Sequence, residues 1–442
     1  MNATTSFKCI SQDCRETYDL NEIVYRCARC NSLLEVSHNL NNLNRRSASA
    51  WMRLFDERYM KTAYPFGSGV WGKKEWVHPD IEIENIVSLY EGGTNLFWAE
   101  RFGRELGMSD LWIKQCGNSH TGSFKDLGMT VLISNVKQMI SNGIEIKAVI
   151  CASTGDTSAS LAAYCAAAGI PTVVLLPKGK ISISQLIQPL SNGAITLAVD
   201  TDFDGCMNLA RMLSDDKSFY LANSINPLRI EGQKTISIEI VQQDDWAVPD
   251  WVIVPSGNLG NVTAVGLGFK MMHELGLISS LPRLVAAQSA NAAPLFKSYE
   301  TNYQRFEAIK SKPTLASAIQ IGNPVSAPRA IPILKEFDSV VTAISESELS
   351  AAAAKADRTG LYCCPQTGVA LASLMKLLDS GTIQKNEKVI VLSTANGLKF
   401  TDFKSGYHDR SISGINIQLD NSPIEVSSDY KTLLNTVNDN IG

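Results

Sequence analysis

The sequence predicts an α/β protein built on open, twisted, largely parallel sheets, preceded by a short cysteine-rich segment. Three observations predict it. Short, continuously apolar runs recur at Leu111-Trp112-Ile113-Lys114, Ala148-Val149-Ile150-Cys151, Thr172 to Leu176, Trp251-Val252-Ile253-Val254 and Val389-Ile390-Val391-Leu392. Such runs lack the alternation of a half-exposed strand and suit strands covered on both faces. Helical stretches separate them, including one running to Asn142 and an Ala-rich one from Thr157 to Ala168 that Gly169 stops. A helix is also expected over Leu96 to Leu106. Four cysteines fall within the first 45 residues, which otherwise have few long apolar runs.

The chain has 442 residues, 45% of them hydrophobic, enough for a large core and two or three domains. The formal net charge of −4 offers no long-range attraction to nucleic acid or to an anionic membrane, so neither partner is expected. No apolar run reaches the ~18 residues that a membrane span needs. The stretch from Met1 to Phe7 lacks the charged-then-apolar plan of a signal peptide. Ten cysteines in a chain of this length are too sparse for a disulfide scaffold, so reduced thiols and a cytoplasmic location are expected. From about 50 to 100 the sequence is rich in aromatics (Trp51, Phe55, Tyr59, Tyr64, Phe66, Trp71 and Trp76), which suits helices and loops packed on a larger body.

In parallel sheets ligands bind beyond the carboxyl ends of the strands, and three loops there carry unusual chemistry. Pro255-Ser256-Gly257-Asn258-Leu259-Gly260-Asn261 joins a strand to a helix, so its backbone N–H groups and the helix start can hold an anion. No Gly-Lys-Ser/Thr follows, which excludes a P-loop and favours a cofactor's phosphate monoester. Cys151-Ala152-Ser153-Thr154-Gly155-Asp156-Thr157-Ser158 is dense in hydroxyls at another helix start, fit for a substrate carboxylate, though such residues are also ordinary N-caps. In Ser393-Thr394-Ala395-Asn396-Gly397 a hydroxyl can bond a pyridine nitrogen. Lys125 follows the breakers Gly117 and Gly122; an amine forms a Schiff base only when partly unprotonated, which burial or nearby positive charge promotes. Asn223-Ser224 and Arg229 flank Pro227 at a helix entry and form a receptor for a second phosphate. Read singly, each of these segments is as well explained by a turn, a cap or a surface side chain.

Together and in this order they resemble fold-type II pyridoxal-phosphate enzymes, specifically the plant-type threonine synthase family. The likeness covers nearly the whole chain. It rests on Phe97 to Gly103, His120 to Met129, Ala152 to Ser158, Asp200 to Met207 and Pro365 to Ala370. It implies a large domain from 46–117 and 227–442 and a small domain over 118–226; the cysteine-rich segment over 1–45 precedes them and departs from the plant-type pattern. It also implies that Lys125 carries pyridoxal phosphate and shuttles protons. Gly257, Asn258, Leu259, Gly260 and Asn261 would bind the cofactor phosphate and Thr394 its ring nitrogen. Asp156 falls beside the cofactor's 3′-oxygen, where relatives often carry Asn. Ser153, Thr154 and Thr157 would hold the substrate carboxylate, and Asn223, Ser224 and Arg229 its phosphate. The implied reaction turns O-phospho-L-homoserine and water into L-threonine and phosphate.

The pattern Cys9-x4-Cys14 and Cys27-x2-Cys30 fits a zinc ribbon, a structural metal site with four thiolate ligands. The resemblance further implies a homodimer with S-adenosylmethionine as activator, and Trp71 to Trp76 resembles part of that effector region. The alternatives are a threonine or serine dehydratase, a cysteine synthase, or a zinc-ribbon binding protein on an inactive enzyme fold. A hydroxyl-leaving enzyme has no use for the receptor around Arg229.

Overall fold

The structure, a computed structural model, describes residues 4–153, 155–179 and 183–441. Thr5–Cys9 (β1), Thr17–Tyr18 (β2) and Leu34–His38 (β3) form a small antiparallel sheet in the order β2-β1-β3. The chain then gives Leu96–Trp98 (β4) and Leu111–Gln115 (β5) to a larger sheet. It leaves to build a second sheet from Ala148–Ala152 (β6), Thr172–Pro177 (β7), Ile195–Val199 (β8) and Phe219–Leu221 (β9). It returns with Trp251–Pro255 (β10), Arg283–Ser289 (β11), Val340–Ile344 (β12) and Val389–Ser393 (β13).

The larger sheet has the order β12-β11-β10-β13-β5-β4 and the second β8-β7-β6-β9. Every neighbour pair in both is parallel except β4 with β5. β6, β10 and β13 are buried at every position, as their unbroken apolar sequences require.

One expected element differs. The segment read as a helix from Leu96 begins as the strand β4, and its helix covers only Glu100–Leu106. Phe97 and Trp98 pair across the edge with Ile113 and Trp112, and the two tryptophan rings lie 6.4 Å apart. Aromatic side chains favour such a half-covered strand over a helix.

Six helices matter for the site: α1 (Lys125–Ser141), α2 (Asp156–Ala168), α3 (Ile183–Ser191), α4 (Leu228–Gln233), α5 (Gly260–Glu274) and α6 (Pro365–Asp379). α1 is buried along almost its whole length, so its polar groups need internal partners. They have them. Thr130 accepts from Trp71 Nε1 at 2.8 Å and donates to the Val87 carbonyl at 2.7 Å, and Asn135 meets His78 Nε2 at 2.9 Å. The aromatic stretch thus packs on α1, and within it Trp51 stacks on Phe55 while Trp76 meets both edge-on.

α1 and α4 touch backbone to backbone. A Cβ on Gly232 would lie 1.7 Å from the Leu127 carbonyl oxygen, and one on Gly128 would lie 2.5 Å from that of Arg229. Two glycines therefore bring the helix that starts at Lys125 against the helix that carries Arg229.

Candidate active site

β10 and β13 are neighbours, so the loops leaving their carboxyl ends lie side by side. After Pro255 the chain turns into α5 with Leu259 at φ +64°, ahead of Gly260. The first turn of α5 leaves N–H groups without intrahelical partners, the usual makings of an anion site. Gly257, Asn258, Leu259, Gly260 and Asn261 all line a pocket together with Lys125, Asp156, Ser224, Arg229 and Thr394. Among the described residues, both amide atoms of Asn261 are buried without a protein partner. An occupant with both donor and acceptor atoms is what such a cradle lacks.

The loop before α1 is held to the loop after β13. Gly117 N–H donates to Ser393 at 3.1 Å, Phe124 N–H to Thr394 at 3.0 Å, and Asn396 N–H to Gly122 at 2.9 Å. Asp126 closes the loop from the other side, accepting from Thr121 N–H at 2.7 Å and its hydroxyl at 2.6 Å. This fixes Lys125, whose ammonium lies 4.1 Å from the centre of the Phe124 ring. Burial first and the Arg229 guanidinium second bring the Lys125 amine down to about 7, with Asp156 opposing both. An amine so placed is in good part unprotonated at neutral pH and can add to a carbonyl.

Arg229 is itself buried, and burial lowers it to about 10. It donates to the Ala222 carbonyl at 3.2 Å and to Thr157 Oγ1 at 3.3 Å, and its Nε has no partner among the described residues. A cation taken out of water with a donor to spare can hold an anion.

The other expected residues divide. Ser224 lines the pocket, its hydroxyl accepting from Asn258 Nδ2 at 3.4 Å. Thr157 stands behind Arg229. Asn223 spends its amide on β6, accepting from Ala152 N–H at 3.1 Å and donating to the Ala152 carbonyl at 2.9 Å. Ser153, at the start of the α2 loop, accepts from Gly155 N–H at 3.3 Å and is not among the lining residues. Thr154 lies outside the described residues.

Gln366 and Gln233 line the pocket without having been assigned a role from sequence. Both amide atoms of Gln366 are buried and unpartnered among the described residues. The motif from Pro365 to Ala370 marks the place where this side chain could have been found.

At the front of the chain, Sγ of Cys9, Cys14, Cys27 and Cys30 all lie within 4.8 Å of one another. The closest pairs are Cys9 with Cys30 at 3.4 Å and Cys14 with Cys27 at 3.5 Å. Thiolates about 2.3 Å from a shared tetrahedral ion have spacings of this size.

A weakly basic buried amine, an anion-binding helix start and a buried guanidinium around one pocket define a carbonyl-cofactor enzyme. The family model described as pyridoxal-phosphate dependent enzyme matches residues 87–395. Threonine synthase 2, chloroplastic, of Arabidopsis thaliana is 53% identical over 424 residues, covering 96% of this chain and 82% of that protein. Threonine synthase of Methanocaldococcus jannaschii is 38% identical over 396 residues, 89% of this chain and 93% of that one. The chain belongs to the threonine synthase family, within the fold-type II pyridoxal-phosphate enzymes. The fold agrees: the crystal structure of threonine synthase from Escherichia coli superposes with a TM-score of 0.67 at 18% identity, covering 98% of this chain and 99% of that one.

Proposed function

We propose that this enzyme converts O-phospho-L-homoserine and water into L-threonine and phosphate, as a step of threonine biosynthesis. The observation that carries this reading is that one pocket holds both an anion-binding helix start and a separate buried guanidinium. A substrate bearing its own phosphate needs two such receptors, whereas a hydroxyl-leaving dehydratase needs one.

The residues present fit pyridoxal phosphate. The first turn of α5 with Asn261 would hold its phosphate, Thr394 its ring nitrogen and Lys125 its aldehyde carbon. When bound, the cofactor supplies the electron sink that acidifies protons near the substrate amine. The chain's own groups do the rest. Lys125, buried and weakly basic, takes the proton from substrate Cα and then one from Cβ, and returns one at Cγ and, once the hydroxyl of water is on Cβ, one at Cα. Arg229 holds the substrate phosphate as the Cγ–O bond breaks, with Ser224 beside it. Asn223 fixes the backbone of this receptor to β6, and the loop of Ser153 and Thr157 receives the substrate carboxylate at the start of α2. Water adds at Cβ. Asp156 would face the cofactor's 3′-oxygen, with its own charge met by Lys399 at 3.2 Å.

The test is release of inorganic phosphate from O-phospho-L-homoserine with one L-threonine formed per phosphate. If Arg229→Ala turned over this substrate as well as the parent does, the substrate assignment would fail.

The finer readings are these. The four close thiols support a structural zinc ion. All ten cysteines are free, which suits a reducing, cytoplasmic setting; among the described residues no helix is long and apolar enough to cross a membrane. The two parallel sheets support a large unit of 46–117 with 227–442 and a small one of 118–226. A homodimer and activation by S-adenosylmethionine rest on the family likeness; sedimentation and the phosphate assay with and without that effector test them.

A further inference from the structure

Lys399 lies in the short turn Gly397–Lys399 that follows β13. Its ammonium is 2.9 Å from the Thr121 carbonyl oxygen, 2.6 Å from Gln188 Oε1 and 3.2 Å from Asp156 Oδ1. The ammonium donates to the loop before Lys125 and to α3, and forms an ion pair with Asp156 at the start of α2, so three separate segments meet on it. The Lys399 and Asp156 side chains are only 15% and 8% exposed, so water screens the pair little. Gly122 makes room for the lysine stem; a Cβ there would come to 3.0 Å from Lys399 Cδ.

We propose that Lys399 is a positioning residue for the cofactor lysine: it clamps the 119–122 loop and neutralises Asp156, and so sets both the place of Lys125 and the charge it faces. This rests on the reading of Lys125 as the amine that takes the cofactor. The charged groups that face Lys125 are few. Arg229 comes from α4 and Asp156 from the start of α2. On its own helix, Asp126 is committed to Thr121. Arg229 makes the amine less basic and Asp156 makes it more basic, so the net field depends on how much of the Asp156 charge is already met. A carboxylate paired with a poorly exposed ammonium projects less charge onto a third group than a bare one does.

The sign follows. Without the Lys399 charge, Asp156 acts on Lys125 unopposed and the amine becomes more basic. At neutral pH a smaller share is unprotonated, and the amine captures a carbonyl less readily.

The experiment uses the full chain stripped of cofactor. Pyridoxal phosphate is added over a range of pH, and capture is read from the visible absorbance of the protein-bound form, with no substrate and no turnover. Lys399→Met is expected to move the midpoint of capture upward by about one pH unit. Lys399→Arg is expected to keep the parental midpoint, and Asp156→Asn combined with Lys399→Met to return toward it. Lys399→Gln, which keeps hydrogen-bonding atoms but no charge, is expected to shift like Lys399→Met and serves where that variant does not fold. An unchanged midpoint in Lys399→Gln overturns the proposal. So does a shift that persists when Asp156 is also neutralised, because the effect then does not pass through Asp156. Lys125→Ala separates the two readings: a protein-bound band in that variant would sink the assignment of Lys125 itself, whatever Lys399 does.

Discussion

Arg229, in α4, donates to the hydroxyl of Thr157, in α2, at 3.3 Å, and so ties the helix after the small sheet to a helix that starts within it. Among the described residues, the Nε of the same guanidinium has no partner, and Arg229 lines the pocket. Truncating one partner of a buried charged contact costs about 2–5 kcal/mol. Arg229→Ala is therefore expected to lower kcat/KM for phosphohomoserine by about thirtyfold or more, with the visible band of bound cofactor retained. Arg229→Lys should recover part of this loss, since it restores the charge without the second donor. Steady-state kinetics on the three proteins check it; equal losses in cofactor binding would assign Arg229 to the wrong phosphate.

Much of this arrangement was legible in the sequence where residues act on their immediate neighbours. The strands β6, β7, β10 and β13 announce themselves by runs rich in Val, Ile and Leu, because strands buried on both faces have few polar positions, whereas β5 carries the buried Lys114. β11 does not, since Ala286-Ala287-Gln288-Ser289 is too mild to separate from a turn or a helix. Leu96 to Leu106 has helical spacing throughout, and only pairing with β5 makes its first residues the strand β4. In the site, Lys125, the Gly257–Asn261 loop and Thr394 stand next to glycines and strand ends, which are local signals. Lys399 carries no such signal, as its partners come from segments distant in sequence. Asn223 shows the converse: its polarity is plain, but only the fold reveals that the β6 backbone takes up its amide.

The close approach of α1 and α4 makes Gly232 a sensitive position remote from any reacting atom. A methyl group there meets the Leu127 carbonyl oxygen, which is backbone and cannot swing away. Gly232→Ala is expected to destabilise the chain by about 1–3 kcal/mol, the usual cost of forcing atoms into a packed core. It also pushes Arg229 away from Lys125, so KM for phosphohomoserine should rise more than cofactor affinity falls. Urea unfolding and the two binding measurements check this. A variant with parental stability would mean that the helices part without strain.

The four-thiol cluster predicts metal content. Protein purified without chelator should carry about one zinc per chain, and Cys14→Ser with Cys27→Ser should carry none. The cysteine-bearing segment also braces the chain on either side of Ser224. Leu221 N–H donates to Tyr25 Oη at 2.7 Å, and Arg329 bridges the Leu34 and Ile225 carbonyls. Stripping the metal should therefore weaken protection of inorganic phosphate against thermal unfolding before it affects the cofactor band. Metal analysis that finds no transition metal in active protein would remove the zinc.

Glu231 joins the ribbon to α4 electrostatically. His38 Nε2, in β3, lies 2.6 Å from its carboxylate, and Lys234 donates to the same oxygen. All three side chains are at most 7% exposed. Burial pushes the Glu231 carboxyl up, but Lys234 and His38 together outweigh it and hold the group below the ordinary carboxylate range. A carboxyl whose folded value is depressed stabilises the fold above its unfolded value, and that contribution fades as pH falls through the folded value. Glu231→Gln leaves the Lys234 ammonium buried without its counter-charge, which costs about 3–5 kcal/mol. Urea midpoints measured from neutral pH down to about 3 should show the parent losing more stability than the variant over the acidic part of the range. Parallel curves would mean that Glu231 is as easily protonated in the folded chain as in the unfolded one, and that its pairing with His38 and Lys234 does not hold the ribbon in place.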